Sequence, residues 1–183
     1  MQATRRSATV CAGTTALILL ALATTGSVLL TGCGGSVSAE IQALRSRFLA
    51  TAPPDGAAAI SAIRAKRKKG ELTADDRIVV RCRINAGDMP PWETGAASFV
   101  VTDATGHNGD KEHNPHTCPF CSRDIINSIA RVQFHDPQGV VIATDARELF
   151  DLRENQLVVL SGTGQFDDTD HLVIVADQMF VKR

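Results

Sequence analysis

Arg77-Ile78-Val79-Val80-Arg81-Cys82-Arg83-Ile84 decides the fold class of this chain. Ile78, Val80, Cys82 and Ile84 fall on one face, and Arg77, Arg81 and Arg83 on the other. Successive side chains of a strand point to opposite sheet faces, so a period of two predicts a strand. One apolar face and one charged face make it half-buried, as in an antiparallel sheet over a core. Further along, Met89-Pro90-Pro91-Trp92-Glu93-Thr94-Gly95 is a loop, and 97–103 is a second strand with Phe99 and Val101 on one face. After a polar stretch, 104–124, a third strand is expected at 129–135. Asp136-Pro137-Gln138-Gly139 is a turn, from which 140–143 returns as a strand. Asp145-Ala146-Arg147-Glu148 has capping-box spacing and opens a short helix to about Leu152. A strand at 157–163, the turn Asp167-Asp168-Thr169-Asp170, and a last strand at 171–176 and 179–181, broken at Asp177, complete the pattern.

Three strands, a short helix, then two strands is the order of the five-stranded OB-like Greek-key barrel, so an all-β-dominated fold is expected. Closure also removes the exposed edges of such Val/Ile-rich strands. Another small antiparallel barrel or a sandwich is the competing architecture. Ahead of the barrel, 41–49 suits a short helix ended by Pro53-Pro54-Asp55-Gly56. Residues 57–68, ended by Gly70, suit a second, which makes an N-terminal helical segment.

The N-terminus carries an address. Arg5 and Arg6 precede the apolar run 14–30, and no acid occurs before Glu40. A positive n-region, an apolar h-region and small residues at its end are the layout of a secretory signal. The run is also near the roughly 20 residues a membrane span needs. The small residues around Cys33 and the Gly34-Gly35-Ser36 that follows favour cleavage and a tether. Leu30-Thr31-Gly32-Cys33 resembles the lipobox of bacterial lipoproteins. The resemblance implies cleavage before Cys33 and lipidation of its sulfur with palmitate-type acyl chains, and each buried CH₂ adds roughly 0.8 kcal/mol of membrane affinity. The expected organisation is a signal peptide at 1–32, a lipidated flexible tether at 33–56, a basic helical segment at 57–70 and the barrel at 71–183. The expected location is the cell envelope, with membrane lipid as a partner through Cys33.

Charge is unevenly placed. Residues 40–70 hold seven Lys/Arg and two Asp/Glu, whereas 71–183 hold ten and eighteen, a net of −8. Nucleic acid is disfavoured as a partner, because phosphate backbones call for a basic footprint. Arg64, Lys66, Arg67, Lys68 and Lys69 read as a solvated helix end, with contact to anionic headgroups as the alternative.

Chemistry concentrates in His113-Asn114-Pro115-His116-Thr117-Cys118-Pro119-Phe120-Cys121, within the 104–124 insertion. Cys-x-x-Cys places two sulfurs on one turn, and two imidazoles could complete a tetrahedral S₂N₂ shell for zinc, or for copper or iron. The metal candidates are therefore His113, His116, Cys118 and Cys121, with His107 or Glu112 as supporting groups. A strong zinc site usually draws its ligand pairs from separated elements, whereas these are all local. Two other readings stand beside this one. Cys118-Pro119-Phe120-Cys121 also matches the motif of thiol redox proteins. Outside the cytoplasm, a Cys118–Cys121 disulfide would staple the loop. Cys82, on the apolar strand face, reads as a buried inert thiol. Trp92 could stack a sugar or a base, or could cover a barrel end. His135 and His171 read as ordinary strand residues. Arg81, Arg83 and Arg131 read as one polar cluster or a ligand contact. No Gly-rich phosphate loop and no Ser-His-Asp arrangement stands out, so catalysis is not expected.

Ser61-Ala62-Ile63, Pro91-Trp92-Glu93-Thr94-Gly95, Asp145-Ala146-Arg147-Glu148-Leu149 and Val175-Ala176-Asp177 resemble small OB-like envelope lipoproteins of the planctomycete type. That resemblance implies a fold and little chemistry. The expected role is binding or scaffolding of a protein or glycan partner, with thiol redox or metal handling as the alternative.

Overall fold

The computed structural model describes residues 38–105 and 114–183. Cys33 and His113, with His107 and Glu112, lie outside the described residues, as does the expected signal peptide. Five strands close a barrel: β1 (Arg77–Ile84), β2 (Ser98–Asp103), β3 (Ile129–Gln133), β4 (Leu157–Phe166) and β5 (Leu172–Val181). Their order around the barrel is β1-β2-β3-β5-β4, returning to β1. All pairings are antiparallel except β3 with β5, which run parallel from Ala130↔Leu172 to Gln133↔Val175. This is an OB-like Greek-key barrel, with short helix α3 (Ala146–Phe150) between β3 and β4.

Alternation builds the core. Ile78, Val80, Cys82 and Ile84 of β1 are all buried and point inward, while Arg81 is exposed. They meet Phe99, Val101, Val132, Leu160, Leu172 and Ile174 from the other strands. At one end an aromatic group fills the barrel. Phe134 lies 4.6 Å from Phe150 and 5.0 Å from Phe48, centroid to centroid. Such tilted and edge-on pairs add roughly 0.5–1.5 kcal/mol each beyond area burial.

Phe48 comes from α1 (Ala39–Phe48), the short helix expected at 41–49, which lies inside the stretch also assigned to a flexible tether. That expectation is corrected for residues 39–56. Ser38 caps α1 by accepting from Ile41 N at 3.2 Å. Beyond the helix, Ala50 N donates to Met179 O at 2.9 Å, which ties the chain to β5. Arg45 donates to the carbonyls of Leu149 and Glu148 at 2.6 and 3.0 Å. It thus covers orphan carbonyls at the end of α3, where a cation is favoured.

The second helix, α2 (Ile60–Lys68), buries Ile60 and Ile63 in the core. Before it, Ala58 N donates to Val79 O at 2.9 Å and Ala58 O accepts from Arg81 N at 3.2 Å, extending the sheet beside β1. Arg64, expected among the solvated cations, is instead 1% exposed. Its guanidinium donates to Asn127 Oδ1 at 3.0 Å and to Asp170 O and Oδ2 at 2.8 Å each. Lys66, Lys68 and Lys69 do face solvent.

Two other expectations need correction. Residues 140–143 form no strand; one bridge joins Val141 to His135. Ile142 acts there as a latch, donating to Phe134 O at 3.0 Å and accepting from Ala97 N at 2.9 Å. The expected break at Asp177 is a β-bulge inside one continuous strand. Ser161 pairs with Gln178 and Gly162 with Ala176, so Asp177 is the extra residue. A Cβ on Gly162 would lie 2.1 Å from Val175 O, so only glycine fits this close approach. The bulged carboxylate accepts from the Arg77 guanidinium and, at 2.9 Å, from Ser161 Oγ.

Candidate functional site

The outer face of β2 and β3 carries a cleft with a largely apolar lining. Val100 of β2 pairs with Arg131 of β3, and both point away from the core. The β1–β2 loop folds back to wall this face on one side. Pro91 O accepts from Val100 N at 2.7 Å, and Glu93 N donates to Ser98 O at 3.2 Å. Asn85 shapes the loop's start: its Oδ1 accepts from Gly87 N at 2.7 Å, and its Nδ2 donates to Asn155 Oδ1 at 2.9 Å. Gly87 has φ +70°, a conformation glycine adopts without cost.

The opposite wall comes from the Cys/His segment. Asn114 begins it: its Oδ1 accepts from His116 N and its carbonyl from Cys118 N, each at 3.0 Å. A 3₁₀ segment, Ser122–Asn127, follows and is kinked at Asp124. Between the walls lies a cavity of about 380 Å³ lined by Met89, Val100, Ile125 and Ile129, with His116 and His171. Arg131 lines it too, and also lines an adjoining hollow of about 250 Å³ beside Pro91 and Trp92. Met89 is 70% exposed, unusual for so large an apolar side chain.

His116 is the most constrained polar group here. Its ring packs on Gly87, where a Cβ would approach Nδ1 to 2.7 Å. Its Nε2 is buried without a hydrogen-bond partner among the described residues. Burial pushes the imidazole pKa below its ordinary value, against an opposing pull from Asp88. The ring is therefore favoured neutral. His171 Nδ1 is 2.6 Å from Thr169 Oγ1, held by the β4–β5 turn.

Trp92 is half-buried. Its ring sits 5.9 Å from Phe99, and the Arg147 guanidinium lies over it at 5.8 Å. Arg147 is itself held by Asp145, with Nε to Oδ1 at 2.9 Å and Nη2 to Oδ2 at 2.6 Å.

Cys118 and Cys121 are thiols here rather than a disulfide, and they share a hydrogen bond. Desolvation, then this contact, raises the Cys121 pKa. A helix-activated redox thiol has its pKa lowered instead. His116 turns to the cleft wall, and among the described residues no three His, Cys, Asp or Glu groups gather to hold a metal ion. Cys82 is fully buried, and burial first, then Asp103, raises its pKa steeply. His135 lies elsewhere, 3.2 Å from Gln133 Oε1. The expected grouping of Arg81, Arg83 and Arg131 is corrected: Arg131 lines the β2–β3 cleft, whereas Arg81 and Arg83 line another, beside β4.

No protein-family model and no curated protein matches this chain. The site therefore rests on its own geometry. Sequence reasoning missed Met89, Ile125, Ile129 and His171. Only the exposed position of Met89 in a Pro-rich loop gave a local signal.

Proposed function

We propose that this chain is a lipid-anchored bacterial envelope protein whose barrel binds a protein partner through the β2–β3 face. The carrying observation is the 380 Å³ cleft, apolar in its lining, with Arg131 at its rim. That volume lies in the range of ligand pockets. It suits an apolar side chain whose neighbour places a carboxylate against Arg131. A protein segment is favoured over a glycan because the Trp92 ring is already engaged by Phe99 and Arg147. In OB folds this face, with the β1–β2 and β4–β5 loops, is the usual binding surface. The acidic balance of 71–183 argues against nucleic acid.

The test is site-specific photo-crosslinking in the envelope. A crosslinker at Met89 should give a discrete adduct that Arg131→Glu abolishes. The same group at Val140, exposed but outside the cleft, should give none. An identical adduct from both positions would refute the assignment.

A second reading draws on the Cys118–Cys121 contact, which could serve thiol exchange or hold a soft ion such as zinc together with His113. Metal content and thiol count of protein purified without chelator decide it. Tightly bound metal lost in Cys118→Ser supports the ion, and a disulfide without metal excludes it.

A further inference from the structure

A second cleft, of about 320 Å³, lies on the barrel wall between β1 and the end of β5. Arg81 and Arg83 enter it from the outer face of β1, two residues apart and so on the same side. Lys182 and Arg183 enter from the chain just after β5. Register brings them together. Arg83 pairs with Leu157 of β4, and Lys182 N donates to Leu157 O at 2.9 Å. Residues 83 and 182 thus stand two strand spacings apart, roughly 10 Å.

The lining is rich in donors. Arg83 Nη1 donates to Asn155 O at 2.9 Å, which fixes its side chain at the cleft wall. Gln156 Oε1 already accepts from Arg153 N at 2.8 Å, which leaves its amide N–H₂ to donate. Among the described residues, no Asp or Glu side chain lines the cleft. Among the described residues, the side chains of Arg81, Lys182 and Arg183 have no hydrogen-bond or ion-pair partner, unlike Arg45, Arg64, Arg77 and Arg147. Four of the ten cations of the acidic region 71–183 therefore meet in one concavity. Like charges so placed repel, and an anion relieves that repulsion.

We infer that this cleft binds a phosphate-bearing anion. The guanidinium forks of Arg81 and Arg183, flanked by the Lys182 ammonium, match phosphate oxygens, by bidentate and point-charge contacts respectively. A singly charged carboxylate would leave most of the positive charge uncompensated. The phosphate could belong to a soluble molecule or to a lipid headgroup. The site lies apart from the β2–β3 cleft and does not depend on the role proposed for it.

The test uses the full chain in a neutral detergent at low salt, titrated with pyrophosphate in a calorimeter. One saturable site is expected. Arg81→Gln combined with Lys182→Gln should weaken it by about tenfold or more, with an unchanged thermal midpoint, because phosphate contacts dominate such affinity. Lys66→Gln with Lys68→Gln, on the exposed face of α2, should leave it unchanged. Doping the micelles with phosphatidylglycerol separates the sources. Competition with pyrophosphate assigns the site to lipid phosphate, and undiminished binding assigns it to a soluble phosphate. No saturable binding, or equal weakening by the α2 variant, overturns the inference.

Discussion

Replacing Arg64 tests whether a cation holds the N-terminal helices to the barrel. Its side chain is 2% exposed, while that of its partner Asp170 is 66% exposed. The ion pair itself is therefore screened and contributes about 0–1 kcal/mol. The hydrogen bonds to Asn127 Oδ1 and Asp170 O are shielded, and bonds involving a charged donor contribute about 1.5–3 kcal/mol each. The buried stem adds roughly 0.8 kcal/mol per CH₂, and the guanidinium also stacks over Phe166 at 5.1 Å. Against these stands the cost of desolvating the cation. The balance predicts a loss of about 3–4 kcal/mol for Arg64→Ala. Arg64→Met, which keeps the apolar stem, should lose about 1–2 kcal/mol. Asp170→Asn should lose under about 1 kcal/mol, because the carbonyl contact and the left-handed backbone at φ 60° both survive. Urea unfolding followed by circular dichroism measures all three. If Asp170→Asn costs as much as Arg64→Ala, the ion pair dominates and the reasoning fails.

Asp145 caps α3, and its pKa is lowered to about 2, chiefly by the Arg147 side-chain hydrogen bond. A depressed carboxylate stabilises fully above its unfolded pKa near 3.9 and loses that contribution as pH falls toward 2. Asp145→Ala should therefore cost about 1 kcal/mol at pH 7 and converge on the parent near pH 2, as read by urea titrations at several pH values. Gly162→Ala should cost about 3 kcal/mol or prevent folding, because the new Cβ meets a backbone carbonyl. Gly164→Ala, whose Cβ meets only the side-chain tips of Ile78 at 2.9 Å and Leu172 at 3.4 Å, should cost about 1 kcal/mol, and thermal midpoints compare the two. Gly87→Ala should push His116 out of its packed position, so that its pKa, read by imidazole NMR, rises toward the ordinary value. An unchanged titration in that variant would show that the ring is not held there by Gly87.

The barrel was legible because its strands alternate strictly where one face is wet. Arg77 to Ile84 could be read one residue at a time, and the short helix announced itself through Asp145. The misses share a cause: the deciding contact lies far away in sequence. The short helix expected at 41–49 is α1, but its sparse apolar residues Ile41, Leu44 and Phe48, between Gly/Ser-rich and Pro-rich flanks, gave no sign that it docks on the barrel. The helix is held because Phe48 finds Phe134 and Phe150. Arg64 looked solvated until Asn127 and Asp170 surrounded it. The run 140–143 had strand composition, but only a single bridge pairs it. In the site, the Cys118–Cys121 spacing was visible at once. His171 was passed over because nothing beside it in the chain marks it. It reaches the cleft through the parallel pairing of β3 with β5.

The bulge at Asp177 carries a consequence for tracing ancestry. Before it, inward residues of β5 have even numbers (Leu172, Ile174, Ala176); after it, the inward residue is Met179. One added residue thus resets the phase of the strand, like a frameshift in a reading frame. Deleting Asp177 alone would remove the bulge and leave Gln178 outward and Met179 inward against the same partners, whereas removing Asp177 and Gln178 together would turn the rest of the strand inside out. Descendants of this gene should therefore either keep the extra residue, together with the glycine opposite it, or lose both. An alignment that forces unbroken alternation through β5 would pair core positions of one protein with surface positions of the other from this point to the C-terminus.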